Sequence, residues 1–361
     1  MKNKSHGIIE NILDHARWAP SGDNMQTWRF EIVDERHFTV HAWDTRDFCV
    51  YDLDGRASQI AFGVLLETIA IAATRFKLQV NTIRRSNSPE SKLIFDIFLT
   101  KNDAIEPSAL LPFIKTRCTQ RRMMKITPLS HADKSALEAA LNPAHSVQWI
   151  EGWRGKLNAA WLMFRNAKIR LIMPEAYQVH STVIEKNARF SVDKIPDQAV
   201  GLDPVTTRIM HWTMKSWQRV NFFNTYLAGT LLPRIELDLL PGLFCAAHFV
   251  IIADRKPAAT DDYLDAGRAL QRFWLTATGL GLHVQPEMTP LIFARYVREQ
   301  RSFSATPKVQ GLAASLAKRT QMLVSEPEQT VFLGRIGSGK AAATRSIRLP
   351  LQELLISKPT H

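Results

Sequence analysis

The sequence predicts an α+β fold built from two similar halves, and three observations support this prediction. Residues 63–80 align without gaps on residues 267–284. Segments with helical periodicity alternate with strand-like segments around each copy. The 361 residues are 45% hydrophobic and 22% charged, a balance typical of a globular chain with a substantial core. Because of the repeat, we expect two intertwined halves rather than two separate domains.

Composition and charge exclude several classes of protein. The 46 Lys and Arg residues exceed the 34 Asp and Glu residues, for a net charge of +12, but they are scattered and predict no nucleic-acid partner. No apolar run approaches 18 residues, so we expect no membrane partner. Cys49, Cys118 and Cys245 lie far apart without a CxxC pair, which argues against a disulfide framework and favours a cytoplasmic location.

In the first half, the pattern predicts a helix near residues 7–16, a loop of turn formers, and strands at 28–33 and 37–43. The first repeat helix follows, and then strands at 78–83 and 93–100. Matching pairs between the two copies include Gly63 with Gly267 and Leu66 with Leu270. Both copies have few polar residues on any side of the helix, so we expect each to be a central, buried helix.

In the second half, we expect helices from Ser130 to 141 and over 155–171, and strands at 147–151, 243–253 and 330–336. The second repeat helix is predicted to start at Asp261 and Asp262, because acidic residues favour a helix N-terminus. Residues 174–242 are rich in Trp, Phe, Met and Leu and are interrupted by prolines. They predict an inserted helical segment that serves as a lid or an interface, and ordinary core packing explains its aromatic residues equally well.

Several motif-like patterns do not support a catalytic or metal site. Residues 334–340 match a P-loop except that Ala341 replaces the Mg²⁺-binding Ser or Thr, so we interpret them as a flexible turn. His37 and His41 are interpreted as two exposed histidines on an edge strand. The spacing reveals no Ser/His/Asp or Cys/His grouping. We therefore predict no catalytic side chain and no metal ligand.

Two segments are more informative. One is the loop Ala-Pro-Ser-Gly-Asp-Asn-Met-Gln-Thr-Trp at residues 19–28, and the other is Arg117-Cys-Thr119-Gln-Arg121. Two guanidinium groups with a hydroxyl between them suit a phosphate monoester, which accepts several charge-assisted hydrogen bonds. A solvated basic turn is the alternative interpretation of the second segment.

The loop resembles the APSxxNxQPW motif of the FMN-dependent nitroreductase family, and the second segment resembles that family's RxSxR motif with Thr119 for Ser. The usual order of the two motifs is inverted here. The repeat explains the inversion, because residues 142–149 resemble a degraded copy of the loop and no RxSxR precedes Arg17. The whole chain resembles the Acg-type, tandem nitroreductase-like proteins. This implies a three-layer α-β-α sandwich of two fused half-units, 1–108 and 109–361, with an inserted lid at about 174–242.

The resemblance also implies a set of FMN-binding residues. In the loop motif and just before it these are Arg17, Pro20, Ser21, Gly22, Asn24 and Gln26, of which Pro20, Ser21 and Asn24 would contact the isoalloxazine edge. Arg117, Thr119, Arg121 and Arg348 would hold the phosphate. Pro286, Glu287 and Met288 match the segment whose backbone N–H faces flavin N5. Thr27 in place of Pro, and Ser346 where many members have a basic residue, depart from the family pattern.

The function implied is that of an FMN-dependent oxidoreductase, in which NADPH or NADH delivers hydride to the flavin. The partner would be a small-molecule electron acceptor such as a nitro compound, a quinone or another conjugated molecule. Because the flavin carries out the chemistry, no catalytic side chain is required. The alternative is an FMN-binding or storage protein without turnover, with the flavin under a lid. We expect a monomeric pseudo-dimer or a further homo-dimer.

Overall fold

The computed structural model describes residues 7–356. The first half contains α1 (Ile8–Ala16), β1 (Trp28–Ile32), β2 (His37–Ala42), α2 (Arg56–Thr74), β3 (Leu78–Arg84) and β4 (Ile94–Lys101). Each of these elements was predicted from the sequence, with bounds that differ by a few residues. Helix α2 begins earlier than the aligned repeat, and the end of the repeat is the first part of β3.

The second half begins with α3 (His131–Ala139), β5 (His145–Ile150) and α4 (Gly152–Ile172). The side chain of Ser130 caps α3 by accepting a hydrogen bond from the Asp133 N–H. Residues 174–242 are mainly helical and also form three two-residue strands that the sequence did not predict. Their elements are α5 (Pro174–Val183), β6 (Ile184–Glu185), β7 (Phe190–Ser191), β8 (Ile195–Pro196), α6 (Asp197–Val200), α7 (Pro204–Thr213), α8 (Trp217–Tyr226), α9 (Leu231–Arg234), a π-helix (Ile235–Leu239) and α10 (Leu240–Leu243).

The remaining elements complete the second half. They are β9 (Ala247–Ala253), α11 (Thr260–Gly279), β10 (Leu282–Pro286), α12 (Thr289–Arg298), α13 (Pro307–Leu323), β11 (Thr330–Ser338), β12 (Arg345–Ser346) and α14 (Leu351–Leu354). The sequence did not predict β10, α12, α13, β12 or α14, and the second repeat, which was expected to be helical throughout, ends in β10 as the first ends in β3.

The two main sheets have equivalent strand orders. The first is β1-β2-β4-β3 and the second is β5-β9-β11-β10, and every neighbouring pair in both is antiparallel. In each sheet the long helix, α2 or α11, comes between the second and third strands along the chain. The second half differs mainly by the segments inserted between β5 and β9 and between β10 and β11.

Helices α2 and α11 pack against each other at their aligned glycines. A Cβ atom on Gly63 would lie 1.9 Å from the carbonyl oxygen of Leu264, and one on Gly267 would lie 2.0 Å from that of Ile60. Gly267 follows Gly63 by 204 positions, and Leu264 follows Ile60 by the same number. The two contacts are therefore reciprocal, as at a twofold interface between identical subunits. Glycine is required at both positions because the helix backbones touch.

The main core contains α1, α2, α11 and residues from both sheets. A second cluster joins α4, α12 and the outer side of β9 and β11, so the second sheet has helices on both faces. The outer face of the first sheet instead carries polar pairs, with His37 3.0 Å from Asp96 and His41 2.9 Å from Glu31. The three-layer arrangement is therefore observed for the second sheet, while the first has one open face.

Two local interpretations of the sequence were wrong. Residues 334–338 belong to strand β11, which confirms the strand predicted at 330–336 and shows that the interpretation of 334–340 as a flexible turn was wrong for these positions. Strand β2 lies between β1 and β4, so His37 and His41 are half-buried on an inner strand rather than exposed on an edge. Within residues 7–356, α2 alone is long and apolar enough to cross a membrane, and it is mostly buried in the core.

Candidate functional site

A cavity of about 720 Å³ lies where the first half meets the inserted segment. Three of the predicted segments line it. The lining residues among those predicted to bind the cofactor are Pro20, Ser21, Gly22, Thr119, Arg121, Pro286, Glu287 and Met288. These segments are far apart in sequence, so the fold brings them to one concave surface, and their roles in binding stay a prediction.

The loop at residues 19–27 is held in an unusual backbone conformation. Asp23, Asn24 and Gln26 all have positive φ, at 49°, 64° and 48°. Asn and Asp adopt this region more readily than other non-glycine residues, and a Gln there is uncommon. The Ser21 hydroxyl accepts a hydrogen bond of 3.0 Å from the Gln26 N–H, which closes the loop across its own turn.

Asn24 and Gln26 do not line the cavity. The Asn24 amide donates to three backbone carbonyls, those of Val192, Lys194 and Ile347, at 3.1–3.2 Å. The buried Gln26 side chain donates to the Val192 carbonyl at 2.8 Å and accepts from the Leu349 N–H at 3.0 Å. Both side chains therefore tie the loop to the inserted segment and to the C-terminal segment.

An arginine cluster lies behind this loop. The Arg348 Nε donates to the Ala19 carbonyl at 3.1 Å, and the Arg345 Nη2 donates to the Arg117 carbonyl at 3.3 Å. The Arg117 guanidinium lies 4.6 Å from the ring centroid of Trp274, a residue of the cavity wall. None of Arg117, Arg345 and Arg348 forms an ion pair with a carboxylate in the described part of the chain.

The cluster is electrostatically unfavourable as it stands. Burial lowers the pKa of Arg117 to about 10, with a further contribution from Arg345. Burial also lowers the pKa of Arg348 well below its ordinary value, and the neighbouring arginines add to this effect. The Nε of Arg117 is buried without a hydrogen-bond partner. Three neighbouring cations and an unused donor fit an anion with several acceptor oxygens.

Arg17 differs from these three arginines. Its Nε lies 2.8 Å from the Asp14 carboxylate and its Nη1 donates to the Leu349 carbonyl at 3.0 Å. It therefore already has a partner of opposite charge, and it does not line the cavity.

Arg121 faces the cavity from the other end of its motif. Its Nη1 donates to the Ala199 carbonyl at 3.3 Å, and Asp23 opposite partly offsets the burial that lowers the pKa of Arg121. Thr119 forms a parallel bridge with Val284, which adds this segment to the edge of the second sheet. Arg121 therefore lies on the cavity side of the motif, while Arg117 lies among the cluster behind the loop.

Glu287 is the centre of a buried ion-pair network. Its carboxylate lies 2.7 Å from the Nδ1 of His248 and 2.8 Å from the Nη1 of Arg335. The Nε2 of His248 lies 2.8 Å from the Gly242 carbonyl, so both ring nitrogens face acceptors. Burial opposes the charge on His248, but the Glu287 carboxylate raises its pKa to about 10. The network fixes the segment after β10 at the cavity wall.

The backbone of this segment departs in one respect from what the resemblance implies. The N–H of Glu287 donates to the Leu333 carbonyl at 2.8 Å and is not directed at a ligand. Pro286 has no N–H, so Met288 carries the next N–H in the segment.

Sequence reasoning missed several residues of this site. Arg345 lies next to Ser346, the position where a basic residue was expected, so a shift of one position would have identified it. His248 and Arg335 lie within apolar strands and gave no signal. Tyr51 and His180 share a hydrogen bond of 2.9 Å at the cavity wall, where burial lowers the pKa of His180 to about 3.

The inserted segment supplies the apolar wall of the cavity. Residues from α7 and α8 line it, and so do residues of the turn and helix that follow, among them Ile209, Phe223, Leu227, Leu232 and Leu237. Three of these five side chains are also exposed at the surface: Ile209, Leu227 and Leu232. The cavity therefore opens to the outside along the insert.

A second, smaller pocket of about 430 Å³ lies at the equivalent place in the other half. Four of its residues belong to α11, and the residues 204 positions earlier line the larger cavity: Ala57, Ile60, Ala61 and Val64. By the same displacement, its residues Thr82, Ile83 and Arg84 match Pro286, Glu287 and Met288. Arg84 fills part of this pocket through two hydrogen bonds of 2.9 Å to Asp261.

No group of three or more His, Cys, Asp or Glu side chains that could hold a metal ion occurs in residues 7–356.

No family model matches the chain, and no curated protein matches it significantly. Among solved structures, a nitroreductase-like family protein from Bacillus cereus aligns with 70% of this chain and 97% of its own, at 11% identity and a TM-score of 0.34. A putative nitroreductase in complex with FMN from Desulfovibrio desulfuricans aligns with 70% and 99%, at 13% identity and a TM-score of 0.32. These structural neighbours are nitroreductase-like, but TM-scores this low do not assign the chain to a family.

Proposed function

We propose that this protein binds FMN in the 720 Å³ cavity and is an oxidoreductase of the nitroreductase type. The observation that carries the proposal is the convergence of three motif segments on one cavity, beside buried arginines that lack a carboxylate partner. The volume of the cavity lies within the range of cofactor sites. An apolar wall with few polar groups is also typical of such sites.

The arginine cluster fits the phosphate of FMN. Arg345 contributes to the lowered pKa of both Arg117 and Arg348, and Arg117 contributes to that of Arg348, so a dianion would offset the repulsion. A charge-assisted hydrogen bond contributes about 1.5–3 kcal/mol. Two such bonds would therefore raise the affinity for FMN at least a hundredfold. The flavin ring would occupy the cavity between the loop, Trp274 and the segment after β10.

Bound FMN would supply hydride and single-electron transfer, with NADPH or NADH as the proposed reductant. The side chains of this chain would bind and orient. The Glu287 network would hold the segment at residues 286–288 against the ring. Arg121 would place a cation near the ring, and the insert would exclude water from part of the cavity.

The two halves are best explained as fused nitroreductase-like units with one retained site. Equivalent strand orders, reciprocal glycine contacts and two pockets related by a displacement of 204 residues support this proposal. In this proposal the boundary between the two fused units lies between residues 108 and 109. In the smaller pocket, Asp261 and Asp265 stand where the cavity has Ala57 and Ala61, so charge replaces the apolar surface that a flavin ring needs.

Flavin storage without turnover is less well supported. A storage site under a lid requires an insert that closes the cavity. Ile209, Leu227 and Leu232 line the cavity and are also exposed, so the cavity reaches the surface and an acceptor has a route to it.

The test compares FMN with riboflavin, which lacks the phosphate. The wild-type protein should bind FMN at least a hundredfold more tightly than riboflavin. In the double variant Arg117→Met with Arg348→Met, FMN affinity should fall to near that of riboflavin. The exposed pair Arg75→Met with Arg154→Met is the matched control and should retain the preference.

Isothermal titration and the flavin absorbance spectrum measure these affinities, and anaerobic bleaching by NADPH or NADH measures turnover. A wild-type protein that takes up no FMN would refute the proposed function. Equal affinity for FMN and riboflavin would refute the role of the cluster. A yellow protein that neither nicotinamide bleaches would leave storage as the better explanation.

A further inference from the structure

The inserted segment exposes an unusual number of large apolar side chains. Six of them form what we term the insert face: Ile209, Trp212, Phe222, Tyr226, Leu227 and Leu232. Tyr226 is 73% exposed and Leu227 is 56% exposed, so these are not residues at the margin of the core. Contiguous apolar surface of this kind usually marks an interaction site.

The members of the insert face are contiguous. The ring centroids of Trp212 and Phe223 are 5.5 Å apart, those of Phe223 and Phe222 are 6.4 Å apart, and those of Phe222 and Tyr226 are 5.2 Å apart. This chain of rings joins α7 to α8. Ile209, Leu227 and Leu232 line the mouth of the cavity, so the apolar surface continues from the outside into the interior.

The charge on this segment has one sign. Residues 204–235 contain Arg208, Lys215, Arg219 and Arg234 and no Asp or Glu. Arg208 and Lys215 are exposed, and the Arg219 guanidinium stacks 4.6 Å from the ring centroid of Trp212. Arg234 is buried and donates to the Phe164 carbonyl. The exposed apolar surface is therefore bordered by three cations.

The adjacent acidic groups do not neutralise these cations. Asp203 and Glu236 flank the segment beside Thr206, and within residues 7–356 neither carboxylate forms an ion pair with Arg208, Lys215 or Arg219. A second copy of the chain is a poor partner, because a self-complementary contact would bring the same cations together. A partner with a negatively charged surface that also takes up apolar side chains matches both the cations and the exposed apolar area of the insert face.

We propose that the insert face binds the surface of an anionic lipid bilayer. This differs from the expectation of no membrane partner, which rested on the lack of a spanning segment and does not bear on peripheral binding. Exposed Trp, Tyr, Phe and Leu side chains insert at the boundary of headgroups and acyl chains, and Lys and Arg beside them attract anionic headgroups. In this orientation the cavity mouth opens towards the bilayer, so that an apolar compound dissolved there reaches the cavity directly. The docking does not depend on whether FMN occupies the cavity.

Co-sedimentation of the full chain with vesicles tests the proposal. The protein should bind vesicles of phosphatidylglycerol mixed with phosphatidylcholine, bind pure phosphatidylcholine far less, and dissociate as salt is raised. A triple variant should bind the anionic vesicles on the order of 100-fold more weakly, because each cation near an anionic surface contributes about fivefold to the affinity. Its substitutions are Arg208→Gln, Lys215→Gln and Arg219→Gln. The matched control neutralises three exposed cations of α13: Lys308→Gln, Lys318→Gln and Arg319→Gln.

A second variant tests the apolar part of the face. Trp212→Ser, Phe222→Ser and Tyr226→Ser should abolish binding, and circular dichroism should show that helicity is kept. Its control replaces exposed apolar side chains outside the insert and should bind like the wild type: Ile126→Ser, Leu280→Ser and Met322→Ser.

Three results would overturn the proposal. One is the absence of binding to anionic vesicles by the wild-type protein. Another is binding that the insert variants and the control variants lose equally. The third is a wild-type dimer, detected by light scattering, that the aromatic variant converts to a monomer, since this would assign the insert face to a second copy of the chain.

Discussion

Substitution of Gly63 by Ala tests the packing that joins the two halves. The new methyl carbon would lie 1.9 Å from the Leu264 carbonyl oxygen, and real Cβ atoms essentially never come within 3.0 Å of such an atom. Helices α2 and α11 must therefore separate by about 1 Å, because the obstructing atom belongs to the backbone and cannot rotate away. A gap of 0.5–1 Å removes about a quarter to a half of the dispersion attraction between the atoms that it parts.

Overpacking of a well-packed core costs about 1–3 kcal/mol, and more where the neighbours cannot adjust. Because both helices lie in the main core, we expect Gly63→Ala to lower the free energy of unfolding by about 3 kcal/mol or more. Ala is a better helix former than Gly by about 1 kcal/mol, and this expectation already includes that gain. Gly267→Ala should cost a similar amount, because its Cβ would meet the equivalent Ile60 carbonyl at 2.0 Å.

Urea denaturation followed by circular dichroism measures the effect, and the melting temperature should fall by about 4 °C or more. The matched control is Gly311→Ala on α13, where a Cβ meets nothing within 4 Å and the protein should be stabilised by up to about 1 kcal/mol. The double variant should cost less than the sum of the two single variants, because the helices separate only once. Stabilisation by Gly63→Ala similar to that by Gly311→Ala would refute the backbone contact.

Three further predictions concern buried and paired charges. Glu287→Gln removes the carboxylate that His248 and Arg335 share, and should lower the free energy of unfolding by about 3–5 kcal/mol; an unchanged urea midpoint would contradict the network. The pKa of His248 is raised to about 10, so its contribution to stability is complete below about pH 6.5 and is lost as the pH rises through 10. An NMR titration in which His248 loses its proton near pH 6.5 would contradict this. Arg85 holds the pKa of Asp96 well below its ordinary value, so the stability that Asp96→Asn removes is present above about pH 4 and is lost in acid. A difference between the variant and the wild type that does not change from neutral to acid pH would argue against that ion pair.

Local patterns predicted the regular elements well where one physical signal dominated. Ser130 and Asp133 form a capping box, and α3 begins at the next residue. Gly281 has φ of 72° just beyond α11, as expected of a residue that ends a helix. Residues 334–336 were predicted both as the end of a strand and as part of a flexible turn, because glycines weaken strand propensity and here reflect close packing. A Cβ on Gly334 would lie 3.0 Å from the ring of Phe249, which no local pattern reveals.

The site was predictable only in part, because its chemistry depends on contacts between distant segments. The motif residues Ser21, Thr119 and Arg121 line one cavity, and their role in binding stays a prediction. Gln26 lies in the same motif, yet its side chain binds the backbone at Val192 and Leu349, 166 and 323 positions away. A sequence motif specifies residue types, and tertiary contacts decide which of them face the cavity.

Under the proposed function, the two pockets explain why a chain with two similar halves would bind one flavin. The larger pocket has alanines at positions 57 and 61, whereas the smaller has Asp261 and Asp265 at the equivalent positions of α11. An aromatic ring placed against two carboxylates would have to desolvate them, which costs several kcal/mol per charge. Arg84, equivalent to Met288, pairs with Asp261 and adds a further charge to the wall of the smaller pocket. We therefore expect titration of the flavin-free protein to give one FMN per chain, and two per chain would mean that these charges do not close the second site.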